Sequence, residues 1–504
     1  MCFKHAWVET NIPVKSEKKK FKTIYARRRH AIFRKMKRRK YNNKIQELQE
    51  QLRKTYDEEK RDEECRAVKC IKSNPKYFYK FVKSHCTKKE EVADLKSKSG
   101  HMIHEDEDKA NCLRIQYASV FSNPIDDKDI ALKDKFTDSE ISDFILDEAT
   151  LISAVKELKL NTSPGPDKFP SILLKHTVSK PLTQILQQTI DLNEIPSIFC
   201  HCVPHIQEWK RPPSYQPVSL TSVIMRSFEK VIKKQLVSYF EGNSLINDSQ
   251  HGFRKGRSCL TQLLTHYDEV LRQIEEGNQV NVLYVDFEKC FDKIDFKILL
   301  NKLKLKGVRG KAYGWIKNFL TNRTFRVRVG EKLSDEENVV SGIPQGTCLG
   351  PLLMLVMNSD IDTKIKNGKT GTLADDTKVT NVLKCNSDNT KMQEDLNSLE
   401  HWSEMNNVKM NDDKFVLLCY NSNPQIINNH YSLKSGIVIQ ESKGTRDLGV
   451  WMSNDATFTE HISNVTTSCK KIMSMIFRSF TSRDDQLMIT LYKSLILSKI
   501  DYCS

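Results

Sequence analysis

The sequence predicts a chain of mixed helices and short strands, α+β in character, preceded by a basic helical arm. Three observations carry this. Residues 139–160 and 226–239 space apolar side chains at helical intervals. Asn281-Val282-Leu283-Tyr284-Val285-Asp286-Phe287 is a short β-branched run, too brief for a long helix. Gly371-Thr372-Leu373-Ala374-Asp375-Asp376-Thr377-Lys378-Val379 sets two adjacent aspartates between β-favouring residues, the pattern of a tight hairpin turn.

With 504 residues, the chain has length for about three domains, and 38% hydrophobic residues suffice for a real core. No stretch approaches a membrane-spanning run, and Met1-Cys2-Phe3-Lys4-His5 does not open a secretory signal. The 14 cysteines are scattered singly, as in a reducing compartment. Cys200, His201, Cys202 and His205 cluster without a second Cys/His pair at zinc-site spacing, which argues against a metal there. A net charge of +16 favours a polyanionic partner, nucleic acid or an anionic surface.

Residues 1–60 form the basic arm, with Lys18-Lys19-Lys20, the cluster from Arg27 to Lys40, and a helical run from Ile45 to Lys54. Such a segment suits a solvated helix, a nucleic-acid clamp or an import signal. Residues 61–135 read as a helical connector, in which Pro75-Lys76-Tyr77-Phe78-Tyr79-Lys80-Phe81 offers either base-stacking rings or the apolar seam of a helical unit. Globular sequence follows. Its helix over 139–160 carries Ile141, Phe144, Ile145, Leu151, Ile152, Val155 and Leu158 on one side.

Loops then punctuate the chain at Asn161–Lys168, Trp209–Ser222 and Gln250–Ser258, the last basic and opening a helix at Cys259. The run from Asn281 delivers Asp286 to the mouth of a buried strand, where an acid needs a cation or a hydrogen-bond donor. Asp292 and Asp295, early in the next helix, read as structural through capping and the helix dipole. Asp375-Asp376 alone is commonly a solvated turn. A third carboxylate at a strand end changes that, because two hard Mg²⁺ ions held by such a set serve phosphoryl transfer. Between the carboxylates, Ser341-Gly342-Ile343-Pro344-Gln345-Gly346 permits close backbone approach to a ligand before a helix begins.

Eight blocks in order, at 161–167, 215–222, 250–258, 285–292, 342–351, 374–377, 411–414 and 448–450, resemble the reverse transcriptases of non-LTR (LINE-type) retrotransposons of the jockey and CR1-like groups. The resemblance spans roughly residues 139–478. It implies an α+β right-hand polymerase with a mainly antiparallel palm sheet, fingers and palm over 136–440, and primer grip with a partial thumb over 441–504. The implied activity is RNA-directed DNA synthesis, using an RNA template, a DNA primer, dNTPs and two Mg²⁺ ions, for which Mn²⁺ can substitute.

Residue by residue, the resemblance makes Asp286, Asp375 and Asp376 the palm carboxylates and metal-binding set, with Lys414 a proton donor near the leaving pyrophosphate. Phe291 would gate against a ribose 2′-hydroxyl, and Gln345, Lys210 and Gln216 would line the nucleotide site. Arg254, Lys255 and Arg257 would contact nucleic acid in the fingers, and Leu448-Gly449 would form the primer-grip turn. Gln216 stands where the family carries an arginine, a departure expected to cost about 1.5–3 kcal/mol of charge-assisted binding unless Lys210 or Arg211 substitutes. An impaired relic that only binds nucleic acid is therefore the alternative reading. An upstream endonuclease domain and a longer thumb are implied by the family, so the sequence is expected to be an interior piece of a longer polyprotein or a decaying copy. Nuclear or cytoplasmic location, without secretion or membrane insertion, is expected.

Overall fold

The computed structural model describes residues 26–27, 42–86, 95–96, 101–122, 137–158, 165–177, 180–205, 218–421 and 430–503. Most of the basic arm, the first half of the loop at 161–167, and residues 206–217 with Lys210, Arg211 and Gln216 lie outside them. The chain divides into two compact units: Glu91–His461, and the residues up to Glu90 with Ile462–Tyr502. This division cuts across the sequence boundaries at 60, 135 and 440. Helical residues 61–86 join C-terminal helices, whereas 441–461 stay with the sheet.

The larger unit is built on a five-stranded sheet. Its strands are β1 (Gln279–Val285), β2 (Lys369–Leu373), β3 (Asp376–Leu383), β4 (Val416–Tyr420) and β5 (Glu441–Ser442), in the spatial order β2-β3-β1-β4-β5. All neighbours are antiparallel except β4 and β5. β1 is central and buried on both faces, which is why its sequence is apolar almost throughout.

Directly paired residues share a face of a sheet. Leu283, Val379 and Leu417 therefore point together into the main core, alongside Val285 and Cys419. Helices α1 (Val223–Gly242), α3 (Phe296–Leu305) and α4 (Gly350–Asn358) feed that core. The opposite face carries Val280, Val282, Leu418 and Tyr420. It is covered by Leu263 and Val270 of α2 (Cys259–Glu275) and by Val450 and Met452 of a hairpin, β6 (Gly444–Asp447) and β7 (Val450–Ser453). Burying each of these aliphatic side chains stabilises the fold by about 1.5–3 kcal/mol.

Local signals placed several elements well. α2 starts at Cys259 as expected, with Ser258 as its N-cap in a capping box with Thr261. Asp295 caps α3, accepting from the Lys297 and Ile298 amides. Ser222 caps α1 and its hydroxyl donates to Asp167, while a Cβ on Gly165 would meet the Ser222 amide at 2.6 Å. The loop at 161–168 thus ends packed on the α1 N-terminus.

The predicted helix over 139–160 is shorter: it runs Glu148–Lys156, capped by Asp147. Ile141 is instead extended and bridges Val308, exchanging backbone hydrogen bonds with Gly307 and Arg309. Tertiary pairing overrides helical spacing there.

The smaller unit is helical. Asn42–Ser73 and Pro75–Cys86 pack with the C-terminal helices through Phe78, Phe81, Cys469, Ile476, Phe480, Leu487 and Leu491. Phe78 stacks on Phe480 with ring centroids 6.1 Å apart, so Phe78 and Phe81 form an apolar seam and are not presented to bases. Near the C-terminus a helix runs Asp485–Leu491 and continues as a π-turn over Tyr492–Leu497. Among the described residues no helix is long and apolar enough to cross a membrane.

Candidate active site

Strand register lines up two of the expected residues, and a side chain brings in a third. β3 pairs Thr377 with Val285, and β4 pairs Val416 with Tyr284. One step past the first pairing sets Asp376 beside Asp286, and on the other side the bridge from Phe287 to Met410 sets Asn411 against Asp286, with the 3-10 turn Asp412–Lys414 between it and β4. Lys414 reaches Asp286 through its side chain, Nζ donating to Oδ2 at 3.0 Å. Asn411 Nδ2 donates to the same oxygen at 3.1 Å, and its backbone amide bonds the Asp286 carbonyl at 2.9 Å. Asp286 thus has two donors, the need that its position at a strand mouth raised.

Asp375 sits in a two-residue turn with Ala374, because Leu373 pairs with Asp376 across it. Ala374 takes φ +61°, a left-handed conformation that costs an L-residue about 1–2 kcal/mol. The turn is held from behind. Gln250 Oε1 accepts from the Ala374 amide at 3.0 Å, and Asn358 Nδ2 donates to the Ala374 carbonyl at 3.0 Å. Asp375 is pushed above the ordinary carboxylate value, first by burial and then by the nearby Asp286 charge. Asp376 opens to solvent, yet desolvation by its surroundings, followed by Asp375, Asp447 and Asp286, raises it to about 6. A carboxylate set under such mutual repulsion favours a cation or a proton.

The three aspartates do not close into a ready-made cage. Among the described residues no group of three His, Cys, Asp or Glu side chains is arranged to hold a metal ion. Asp286 is instead shared between Asn411 and Lys414.

The loop at 341–347 meets the segment after Asp286. Gln345 Nε2 donates to Asp292 Oδ1 at 2.9 Å, and burial raises Asp292 to about 6. The Gly342 amide bonds the Ile294 carbonyl and the Ile343 amide bonds Phe291, while a Cβ at Gly342 would meet the Asp292 carbonyl oxygen at 2.6 Å. Asp292 therefore acts as the anchor of Gln345, not as a helix cap, and Gln345 reaches the site already engaged. Phe291 is half-buried against the main core.

The basic loop after Gln250 behaves differently from expectation. Arg254 is mostly buried, forks onto Glu241 with contacts of 2.9 and 2.7 Å, and donates to the Asn247 carbonyl. Arg257 pairs with Asp248 at 2.6 Å. Both guanidiniums are spent within the fold because Glu241 and Asp248 lie across the loop. Lys255 is exposed.

Leu448-Gly449 forms the two-residue turn between β6 and β7, with φ +45° and +93°. Positive φ at both positions is the twist that joins tight hairpin strands, easy for Gly449 and strained for Leu448. A cavity of about 180 Å³ lies between this hairpin and the carboxylates, lined by Asp286, Asp376, Lys378, Lys414, Arg446 and Leu448 among others. Sequence reasoning passed over Gln250, Asn358, Asn411, Lys378, Arg446 and Asp447. Lys378 had a legible signal: it stands two residues after Asp376, on the same face of a buried strand.

Residues 208–452 match the family described as reverse transcriptase (RNA-dependent DNA polymerase). The chain is 26% identical over 349 residues to the probable RNA-directed DNA polymerase from transposon BS of Drosophila melanogaster, covering 65% of this chain and 38% of that protein. It is 26% identical over 366 residues to the corresponding X-element protein of the same organism, covering 68% and 39%. To the RNA-directed DNA polymerase from its mobile element jockey it is 25% identical over 371 residues, covering 69% and 40%. The chain spans about two fifths of the length of these relatives.

Proposed function

We propose that this chain, which carries a reverse transcriptase domain over residues 208–452, performs RNA-directed DNA synthesis as part of a non-LTR retrotransposon protein. The observation that supports this most directly is the row Asp376–Asp286–Lys414 at the mouth of the central strands, with Asp375 in the adjoining turn.

The donor set fits a hard divalent cation. It offers carboxylate oxygens only, and their mutual repulsion falls when a cation is bound. A partial set also suits Mg²⁺, which keeps several waters and takes further oxygens from substrate phosphates. Asp286 and Asp375 would hold Mg²⁺, with Asp376 beside them. Bound there, Mg²⁺ would lower the pKa of a primer 3′-hydroxyl and neutralise charge on the departing pyrophosphate.

The chain's own residues orient the rest. Asn411 fixes one oxygen of Asp286 and leaves the other open. Lys414 keeps an ammonium at the cavity rim, placed to donate a proton to a leaving phosphate oxygen. Phe291 supplies bulk against a 2′-hydroxyl, and Gln345, steadied by Asp292, lines the nucleotide side. Lys255, Arg446 and the turn Leu448-Gly449 face a duplex of RNA template and DNA primer.

Primer extension on an annealed RNA template with Mg²⁺ and dNTPs tests the reading, with Asp375→Asn as the control. Incorporation by the parent chain and its loss in the variant are expected. Equal incorporation by both would overturn it, and RNA binding without extension would favour a nucleic-acid-binding relic.

A further inference from the structure

Beneath the carboxylates lies a charged pair that a sheet face of this composition does not need. Lys378 is 3% exposed and Asp447 is 6% exposed, and Lys378 Nζ donates to Asp447 Oδ2. Their neighbours on that face are Val280, Val282, Leu418, Val450 and Met452. Aliphatic residues would fill such a site without the desolvation of two ions, so the pair calls for a reason other than stability.

Its location supplies one. Lys378 is two residues after Asp376 on β3, and Asp447 immediately precedes the turn Leu448-Gly449. Tyr284, two residues before Asp286 on β1, also reaches Asp447 Oδ2 with its hydroxyl at 3.4 Å. One carboxylate is thus tied to both strands that deliver the candidate catalytic aspartates. The β6–β7 hairpin continues from β5 through Lys443 alone, and among the described residues it forms its own two-stranded sheet outside the ladders of the five-stranded one. β5 thus fixes the root of the hairpin, whereas its turn lies beyond any ladder of that sheet, and a directional side-chain contact near the turn can set where it sits. The pair also lines the cavity that separates the carboxylates from Leu448.

We infer that Lys378 and Asp447 are positioning residues that set the register of the Leu448-Gly449 turn against Asp286 and Asp376, and so place a primer 3′-end in the cavity between them. The inference rests on the polymerase reading above. It adds that charge and directionality of this pair, not its burial, control extension.

The test separates the two roles in the full chain, using urea denaturation, primer–template binding and single-nucleotide extension. Lys378→Met and Asp447→Asn singly strand one buried charged or polar partner and are expected to lower both stability and extension. In the double variant Lys378→Met/Asp447→Leu, an apolar contact replaces the pair. Its denaturation midpoint is expected to return towards that of the parent, primer–template Kd to stay within about threefold, and kcat to remain at least tenfold down. A double variant that regains both stability and kcat would overturn the inference. Should the double variant not fold, Asp447→Glu decides: the pair is retained but lengthened by one methylene, and a kcat loss of at least fivefold at unchanged Kd is expected. Parent-like kcat in Asp447→Glu would overturn the inference. A parent chain that extends no primer would overturn the polymerase reading, and the inference with it.

Discussion

Gln250 holds the amide of Ala374 through its side-chain oxygen at 3.0 Å, although 124 residues separate them. The same oxygen accepts from the Gly252 amide at 2.7 Å. Backbone bonds between His251 and Thr372 and between Thr372 and Ser249 run alongside. The loop that the sequence suggested as a basic nucleic-acid contact is thus first a brace for the turn bearing Asp375. A strained left-handed alanine persists there because several bonds determine it at once.

Gln250→Ala would leave two buried amides unpaired, each costing about 1–3 kcal/mol. The denaturation midpoint is expected to fall, and extension to fall with it. Gly252→Ala separates position from stability more sharply, since its Cβ would sit 2.6 Å from the Ala374 nitrogen and must push the turn. A displacement near 1 Å at a reacting centre costs up to about 100-fold in rate. Rapid-quench extension should therefore show a kcat loss larger than the stability change alone accounts for.

Much of this was legible locally. The end of β1 before Asp286, the hairpin turn at 374–375, the cap at Asp295 and the start of α2 are set by residues within a few positions of one another. What was not legible depends on partners far away in sequence: Arg254 on Glu241, Gln345 on Asp292, and Lys378 on Asp447. A basic loop and a lysine in a strand look solvent-directed until the fold supplies an acid opposite them. The long helix over 139–160 failed for the same reason, as Ile141 found a strand partner in Val308.

Glu229 gives a pH signature away from the carboxylates. It is fully buried on α1 and accepts from the Leu349 amide at 3.0 Å through one oxygen. The other oxygen has no hydrogen-bond partner among the described residues. Burial raises its pKa from 4.5 to about 7, against the Leu349 and Cys348 amides and the charges of Arg226 and Arg323, which lower it. The folded chain then keeps a proton that the unfolded chain has released. Stability from this group is full below pH 4.5 and is lost as pH rises towards 7, by roughly 3 kcal/mol. Glu229→Gln mimics the protonated form. Urea midpoints of variant and parent should coincide near pH 4.5, and the variant should be the more stable at pH 8. Parallel curves would show that Glu229 does not titrate in this window.

In the smaller unit, Glu64 joins the two ends of the chain. It is completely buried on Asn42–Ser73 and accepts from the Thr481 amide at 2.7 Å, the Thr481 hydroxyl at 2.8 Å and the Ser482 amide at 2.9 Å. Those two amides precede the helix Asp485–Leu491 and have no place in a ladder of their own. Glu64→Ala leaves them unpaired beside Phe480, at a cost of about 3 kcal/mol, which corresponds to roughly 100-fold faster local opening. Hydrogen exchange at Thr481 and Ser482 should accelerate by that order, and trypsin should cut more readily after Arg483. Glu64→Gln, keeping one accepting oxygen but presenting an amide donor to the remaining N–H, should fall between the two. Unchanged exchange at both amides in Glu64→Ala would mean that the apolar seam of Phe78, Phe81 and Phe480 alone holds the helices together.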